Sequence, residues 1–158
     1  MSAGGNLVIR SLIVVLALAG LADAFYFTFA YYGRIKKARW IPEILCAREG
    51  SSCVTVLQTP YARVFGIPNS LLGISYYVLV IAWALLGPGL AMAWEGVRVL
   101  VPWVGWAFVA ASAGTVALGF YLIYALRRKL HTDCPMCYTA HAINTALFIL
   151  LIFANLSR

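Results

Sequence analysis

Four apolar stretches, each long enough to cross the hydrocarbon core of a bilayer, decide what this chain can fold into. They run at about Leu7–Tyr32, Leu71–Leu90, Val99–Leu126 and Tyr138–Leu156, and a helix needs about 20 such residues to span. Hydrophobic residues make up 63% of the 158 and charged residues only 11%. A soluble domain of this length cannot bury so much apolar surface. The first stretch resembles a secretory signal, with Arg10 preceding its apolar run and Ala22-Asp23-Ala24 as a cleavage-like site. Its apolar character continues through Phe25, Tyr26, Phe27 and Phe29, beyond a signal's core, which reads as a retained span. The expected fold is an all-α integral membrane protein, a single domain over 1–158 built as a four-transmembrane-helix bundle.

Four spans put both termini on one side of the membrane and loops one and three on the other. Loop one, about Gly33 to Ile67, is long. Pro42 and Gly50 punctuate it, and the apolar residues of Val54 to Phe65 suit a short interfacial helix. Pro68 is placed to open span two near its first turn. Trp40, Trp94, Trp103 and Trp106, with Tyr31 and Tyr32, fall near span ends, as interfacial aromatics do. Ala111, Thr115 and Gly119 form a small-residue stripe on span three that allows close helix approach. The twelve Lys and Arg against five acids sit in short connecting segments, where they report topology rather than nucleic-acid binding.

The four cysteines fall in two pairs, Cys46 with Cys53 in loop one and Cys134 with Cys137 at the start of span four. Loops one and three share a side, so all four lie at one membrane face. Pro135 favours the first helical position, which makes Cys134 the N-cap and puts Cys137 one turn in. Helix N-termini and the C-x-x-C arrangement both favour thiolate, the nucleophile of disulfide exchange; Asp133 opposes this by like charge. Two other readings compete. Four thiolates can hold a structural zinc, but the Cys46–Cys53 spacing is wide for a knuckle. Inert disulfides are the other, but a bridge within C-x-x-C closes almost no loop and stabilises little.

Steps of three and four share a helix face, so span four places Cys137, His141, Asn144 and Thr145 on one stripe. Polar groups in a span face the bundle interior or a cavity. His141 is therefore positioned to touch whatever Cys137 reacts with, unless it bonds a neighbouring helix. Asn69, at the same face, can donate to a carbonyl in that pocket or simply cap its helix. Asp23 is the acid of span one, where a structural hydrogen bond and a role in proton handling are both open.

The segments Cys46-x6-Cys53, Val56-Leu57-x-Thr59-Pro60-Tyr61-Ala62-x2-Phe65-Gly66-Ile67-Pro68-x-Ser70-Leu71-Leu72-Gly73 and Cys134-x-x-Cys137 resemble the vitamin K epoxide reductase family. They are most similar to its prokaryotic, disulfide-generating branch, as is Gly20-Leu21-x-Asp23. The resemblance covers essentially the whole chain. It implies a four-helix bundle around a quinone of menaquinone or ubiquinone type, the cofactor. It also implies a relay in which Cys46 and Cys53 take electrons from a partner thiol, Cys53 exchanges with Cys134, and Cys137 delivers them to the quinone. By the same resemblance Asn69 hydrogen-bonds a quinone carbonyl. The pocket position four past the second active cysteine, aromatic in the family, is His141 here. Many prokaryotic relatives carry a fused thioredoxin-like domain; this chain stops at Arg158, so a separate thioredoxin-like redox protein is the expected partner.

The function expected is thus a quinone-dependent thiol oxidoreductase that generates disulfides. Reduction of a quinone epoxide by the same cysteines is the enzymatic alternative, and a zinc-stapled membrane adaptor the non-enzymatic one. Orientation divides the two kinds of argument. Relatives place the cysteine face outside the cytosol, whereas the charges favour a cytosolic cysteine face. Arg34, Lys36, Lys37, Arg39, Arg48, Arg63, Arg127, Arg128 and Lys129 lie on that side, against Arg10, Arg98 and Arg158 on the other.

Overall fold

A helix that is apolar all round has no face to turn to water, and the spans of this chain form helices of that kind. A computed structural model describes residues 3–32, 56, 59–64, 66–93, 95–131 and 133–156. Within them α1 is Ala3–Tyr31, α2 Asn69–Ala93, α3 Glu95–Ala125 and α4 Pro135–Leu156. Each is long and apolar enough to cross a membrane, and the protein is a multi-pass bundle of four transmembrane helices. Helix α1 packs on α2 and α4, and α3 packs on the same two. The four therefore close a ring, with α1 diagonal to α3 and α2 diagonal to α4.

Ile13, Ala17 and Ala24 of α1, Tyr77, Val80 and Trp83 of α2, and Leu147 and Leu151 of α4 fill the centre. Trp103, Phe120 and Leu156 point outward and are 73%, 67% and 68% exposed. So large an apolar exterior belongs in lipid. At the end away from the cysteines the Asn155 amide packs directly on Gly105, where any side chain would collide with it. Pro102 lies inside α3, where it removes a helical N–H, a defect transmembrane helices tolerate.

Between α1 and α2 the short helix expected within Val54 to Phe65 lies partly outside the described residues, of which Val56 is helical. A single 3₁₀ turn, Pro60–Ala62, is followed by a two-stranded hairpin. Strand β1 (Arg63–Val64) pairs antiparallel with β2 (Ile67–Pro68), Arg63 opposite Pro68 and Val64 opposite Ile67. Gly66, at φ 81°, makes the sharp reversal that a side chain would resist. The hairpin ends the turn after three residues because Arg63 is already extended at its C-cap. It also takes Pro68 into β2, so α2 opens at Asn69 rather than on the proline.

Helix α3 runs on through a π turn, Leu126–Leu130, four residues past the expected span end. His131 closes it in the left-handed region (φ 49°), its N–H bonded to the Leu126 carbonyl. Helix α4 starts at Pro135, three residues before the expected Tyr138, with the proline in the first helical position. The small-residue stripe of α3 is divided by the fold: Ala111 is exposed, while Gly119 is buried. Among the described residues of this helix the buried polar one is Ser112, which donates to the Phe108 carbonyl at 2.7 Å. Its proton so committed, Ser112 accepts from the Tyr76 hydroxyl at 2.5 Å.

Candidate active site

Cys134 and Cys137 form a disulfide across the first turn of α4, with Cα atoms 5.3 Å apart. The Cys137 amide lies 3.3 Å from Cys134 Sγ, the N-cap arrangement expected from Pro135. Cys134 is wholly buried in a cluster with Phe27 and Leu126, against which Val56, Leu130 and Met136 pack. Cys137 is half-buried and lines a cavity of about 270 Å³ between the helices. One sulfur is thus sealed in apolar packing while the other opens into a chamber. Cys46 and Cys53 lie outside the described residues.

Each helix contributes polar residues to the lining of this chamber, among them Asp23, Asn69, Ser70, Tyr76, Tyr77, Thr115, His141 and Asn144. Asn69 donates through Nδ2 to the Tyr61 carbonyl at 3.1 Å, tying the start of α2 to the 3₁₀ turn. Its Oδ1 is buried and, among the described residues, has no hydrogen-bond partner; the same holds for Ser70 Oγ, Asp23 Oδ1 and His141 Nδ1. Buried polar atoms are rarely left so. Four orphans around one apolar chamber are the signature of a site that binds an apolar ligand with a few polar atoms.

The His141 ring is held by contact with α3. A Cβ at Gly119 would approach His141 Nδ1 to 2.7 Å, so glycine there makes room for the imidazole. Thr145, on the expected stripe, does not line the chamber; its hydroxyl donates to the His141 carbonyl at 2.8 Å. Asn144 does line it and accepts from the Tyr77 hydroxyl at 2.7 Å, a bond that crosses the ring diagonally from α2 to α4. Tyr77 and Ser70 were not singled out from sequence. The signal was there: Asn69, Gly73, Tyr76 and Tyr77 follow steps of three and four along α2.

A second network lies outside, beside Cys134. The Tyr138 hydroxyl donates to Asp133 Oδ1 at 2.9 Å and accepts from Arg127 Nε at 3.3 Å. The Arg127 guanidinium also sits 5.4 Å from the centre of the Tyr138 ring. The π turn is thereby clipped to the start of α4, and the carboxylate next to Cys134 is paired rather than bare.

Comparison with curated proteins returned no match. Over residues 11–152 the chain matches the sequence model of the vitamin K epoxide reductase family. Covering most of the sequence, this match shows that the chain belongs to the vitamin K epoxide reductase family.

Proposed function

We propose that the protein is a quinone-dependent thiol oxidoreductase that generates disulfides, of the family's prokaryotic type. Electrons pass from a separate thioredoxin-like protein to Cys46 and Cys53, then to Cys134 and Cys137, then to a membrane quinone. The observation that carries this reading is the opening of Cys137, and not Cys134, into an apolar chamber ringed by unpaired polar atoms. The chamber suits a flat apolar ring with carbonyls at its edge. When bound, a quinone supplies a two-electron, two-proton acceptor. Asn69 and His141 would hold it, through the free hydrogen of the Asn69 amide and the imidazole.

Val56 packs on the Cys134 cluster, and Cys53 precedes it by three residues of chain, which reach at most roughly 11 Å. This supports exchange between Cys53 and Cys134. The disulfide state of Cys134 and Cys137 also favours redox use over the zinc reading, which needs those sulfurs as thiolates. The direct test supplies the purified protein with a reduced thioredoxin-like substrate and a short-chain ubiquinone. Thiols should be consumed two for each quinol formed; thiol loss with no quinol would refute the proposal.

Two further outcomes are expected. Cys46→Ser frees Cys53 from its pair, and mass spectrometry of non-reduced peptides should then find Cys53 bonded to Cys134. Recovery of Cys53 only as free thiol would break the relay. His141→Ala removes one hydrogen bond to a neutral carbonyl, about 0.5–1.5 kcal/mol, so quinone affinity should drop roughly two- to tenfold. Asn69→Ala should do at least as much, since it also releases the Tyr61 carbonyl. Unchanged Michaelis constants for quinone in both variants would remove these residues from the site.

On orientation, the basic residues of loops one and three support a cytosolic cysteine face. Disulfide formation on that side has a precedent in hyperthermophilic prokaryotes. After reduction, a membrane-impermeant maleimide added to intact cells should leave Cys46 unmodified; rapid labelling from outside would reverse the assignment.

A further inference from the structure

The chamber has two chemically different ends. Near the cysteine face stand Cys137 and Asn69, with His141 one turn deeper. Further in, Tyr77 bonds Asn144, and the Tyr77 ring lies on Gly20 of α1. Asp23 belongs to this inner end. It lies three residues from Gly20 and one turn inward of Phe27, which packs on Cys134, and next to Ala24, whose Cβ faces Gly73. The distance between the ends fits a ligand with two polar poles. Cys137 and Asn144 are seven residues apart on α4, a rise of roughly 10 Å. A para-quinone has its oxygens roughly 5 Å apart, and with a hydrogen bond at each end it spans roughly 11 Å.

We infer that Asp23 is the proton-transfer residue for the inner oxygen of the bound quinone, an assignment that rests on the quinone reading above. A quinone bound between these ends would have its outer carbonyl within reach of the Cys137 thiol and His141. The inner carbonyl would be beyond a thiol's reach, and the acids and hydroxyls at that end are not equivalent. The Tyr77 proton is committed to Asn144 Oδ1, and the side-chain amide of Asn144 carries no acidic proton. Asp23 lines the chamber, and its Oδ1 is buried with no hydrogen-bond partner among the described residues.

The step balances. As the S–S bond between Cys134 and Cys137 forms, the two thiols lose two electrons and two protons. The quinone takes both electrons and two protons, its carbonyls becoming hydroxyls. One proton comes from the thiol side. The other is given by the Asp23 carboxyl, which regains one from the aqueous face while the second thiol proton leaves to that face.

The test uses the full chain in detergent. Asp23→Asn keeps the shape and removes the acid. Quenching of tryptophan fluorescence by a short-chain ubiquinone should give an affinity within about threefold of wild type. Mixing the pre-reduced variant with the same quinone should form the disulfide about 10²- to 10⁴-fold more slowly, the usual loss of a general acid. Infrared difference spectra of the wild type, quinone-bound minus hydroquinone-bound, should contain a protonated-carboxyl stretch that Asp23→Asn lacks. Wild-type rates in the variant, a carboxyl band that survives the substitution, or no such band in the wild type would each overturn the inference while leaving quinone reduction intact. Failure of the wild type to bind or reduce quinone would instead overturn both this inference and the reading beneath it.

Discussion

Cys137→Ser should stop quinone reduction, with turnover lower by on the order of 10³-fold or more, while the bundle stays folded. The size follows from chemistry: a hydroxyl neither forms the disulfide nor releases electrons, and no other described sulfur opens into the chamber. Little structure is lost. Cys137 is half-buried at the chamber wall, and serine is close to it in size. The N-cap contact is made by the Cys137 backbone amide, which the substitution keeps. Helical circular dichroism and the thermal midpoint in detergent should therefore stay near wild type as activity disappears. Near-normal turnover would exclude Cys137 as the quinone-side thiol.

What was legible in the sequence was local. A run of about 20 apolar residues specifies a spanning helix without reference to its neighbours, so four spans were readable. Cys134-Pro135-Met136-Cys137 specifies its own N-cap and first turn, which is why the position of Cys134 at the helix start was readable too. Boundaries that depend on neighbours were not. The π turn that extends α3 to Leu130 is clipped to α4 through Arg127 and Tyr138, and the hairpin draws Pro68 in by pairing it with Arg63. Asn69 is expected at the chamber from sequence, but its tie to the Tyr61 carbonyl depends on where the 3₁₀ turn Pro60–Ala62 comes to rest. Of the stripe on α4, Cys137, His141 and Asn144 line the chamber and Thr145 does not. Periodicity puts Thr145 beside His141 and Asn144, but which of them meets the chamber depends on how the four helices pack around it. The diagonal bond from Tyr77 to Asn144 joins residues 67 apart in sequence, a pairing that no spacing rule reaches.

That diagonal bond exists because α1 lacks a side chain at Gly20, and Gly20→Ala should cost about 1–3 kcal/mol, the range for overpacking a filled core. A Cβ at this position would overlap the Tyr77 ring, with the hydroxyl oxygen 2.8 Å away. Tyr77 cannot simply swing aside. It is 4% exposed, packed in the central cluster, and its hydroxyl is held by Asn144. Moving the ring breaks that bond and leaves the Asn144 oxygen unpaired in an apolar wall, which adds to the penalty. Gly73 gives the contrast within the same neighbourhood: a Cβ there meets Ala24 at 3.5 Å and Tyr77 at 3.7 Å, ordinary contact distances. Gly73→Ala should be nearly neutral where Gly20→Ala is not. A double-mutant cycle identifies the cause, since contacting residues are not additive. In a Tyr77→Ala background the ring that the new methyl group would strike is gone, so adding the Gly20 substitution should cost little. An equal cost in both backgrounds, measured by unfolding in mixed detergent, would mean that Gly20 serves the backbone of α1 and not the path of Tyr77 across the bundle.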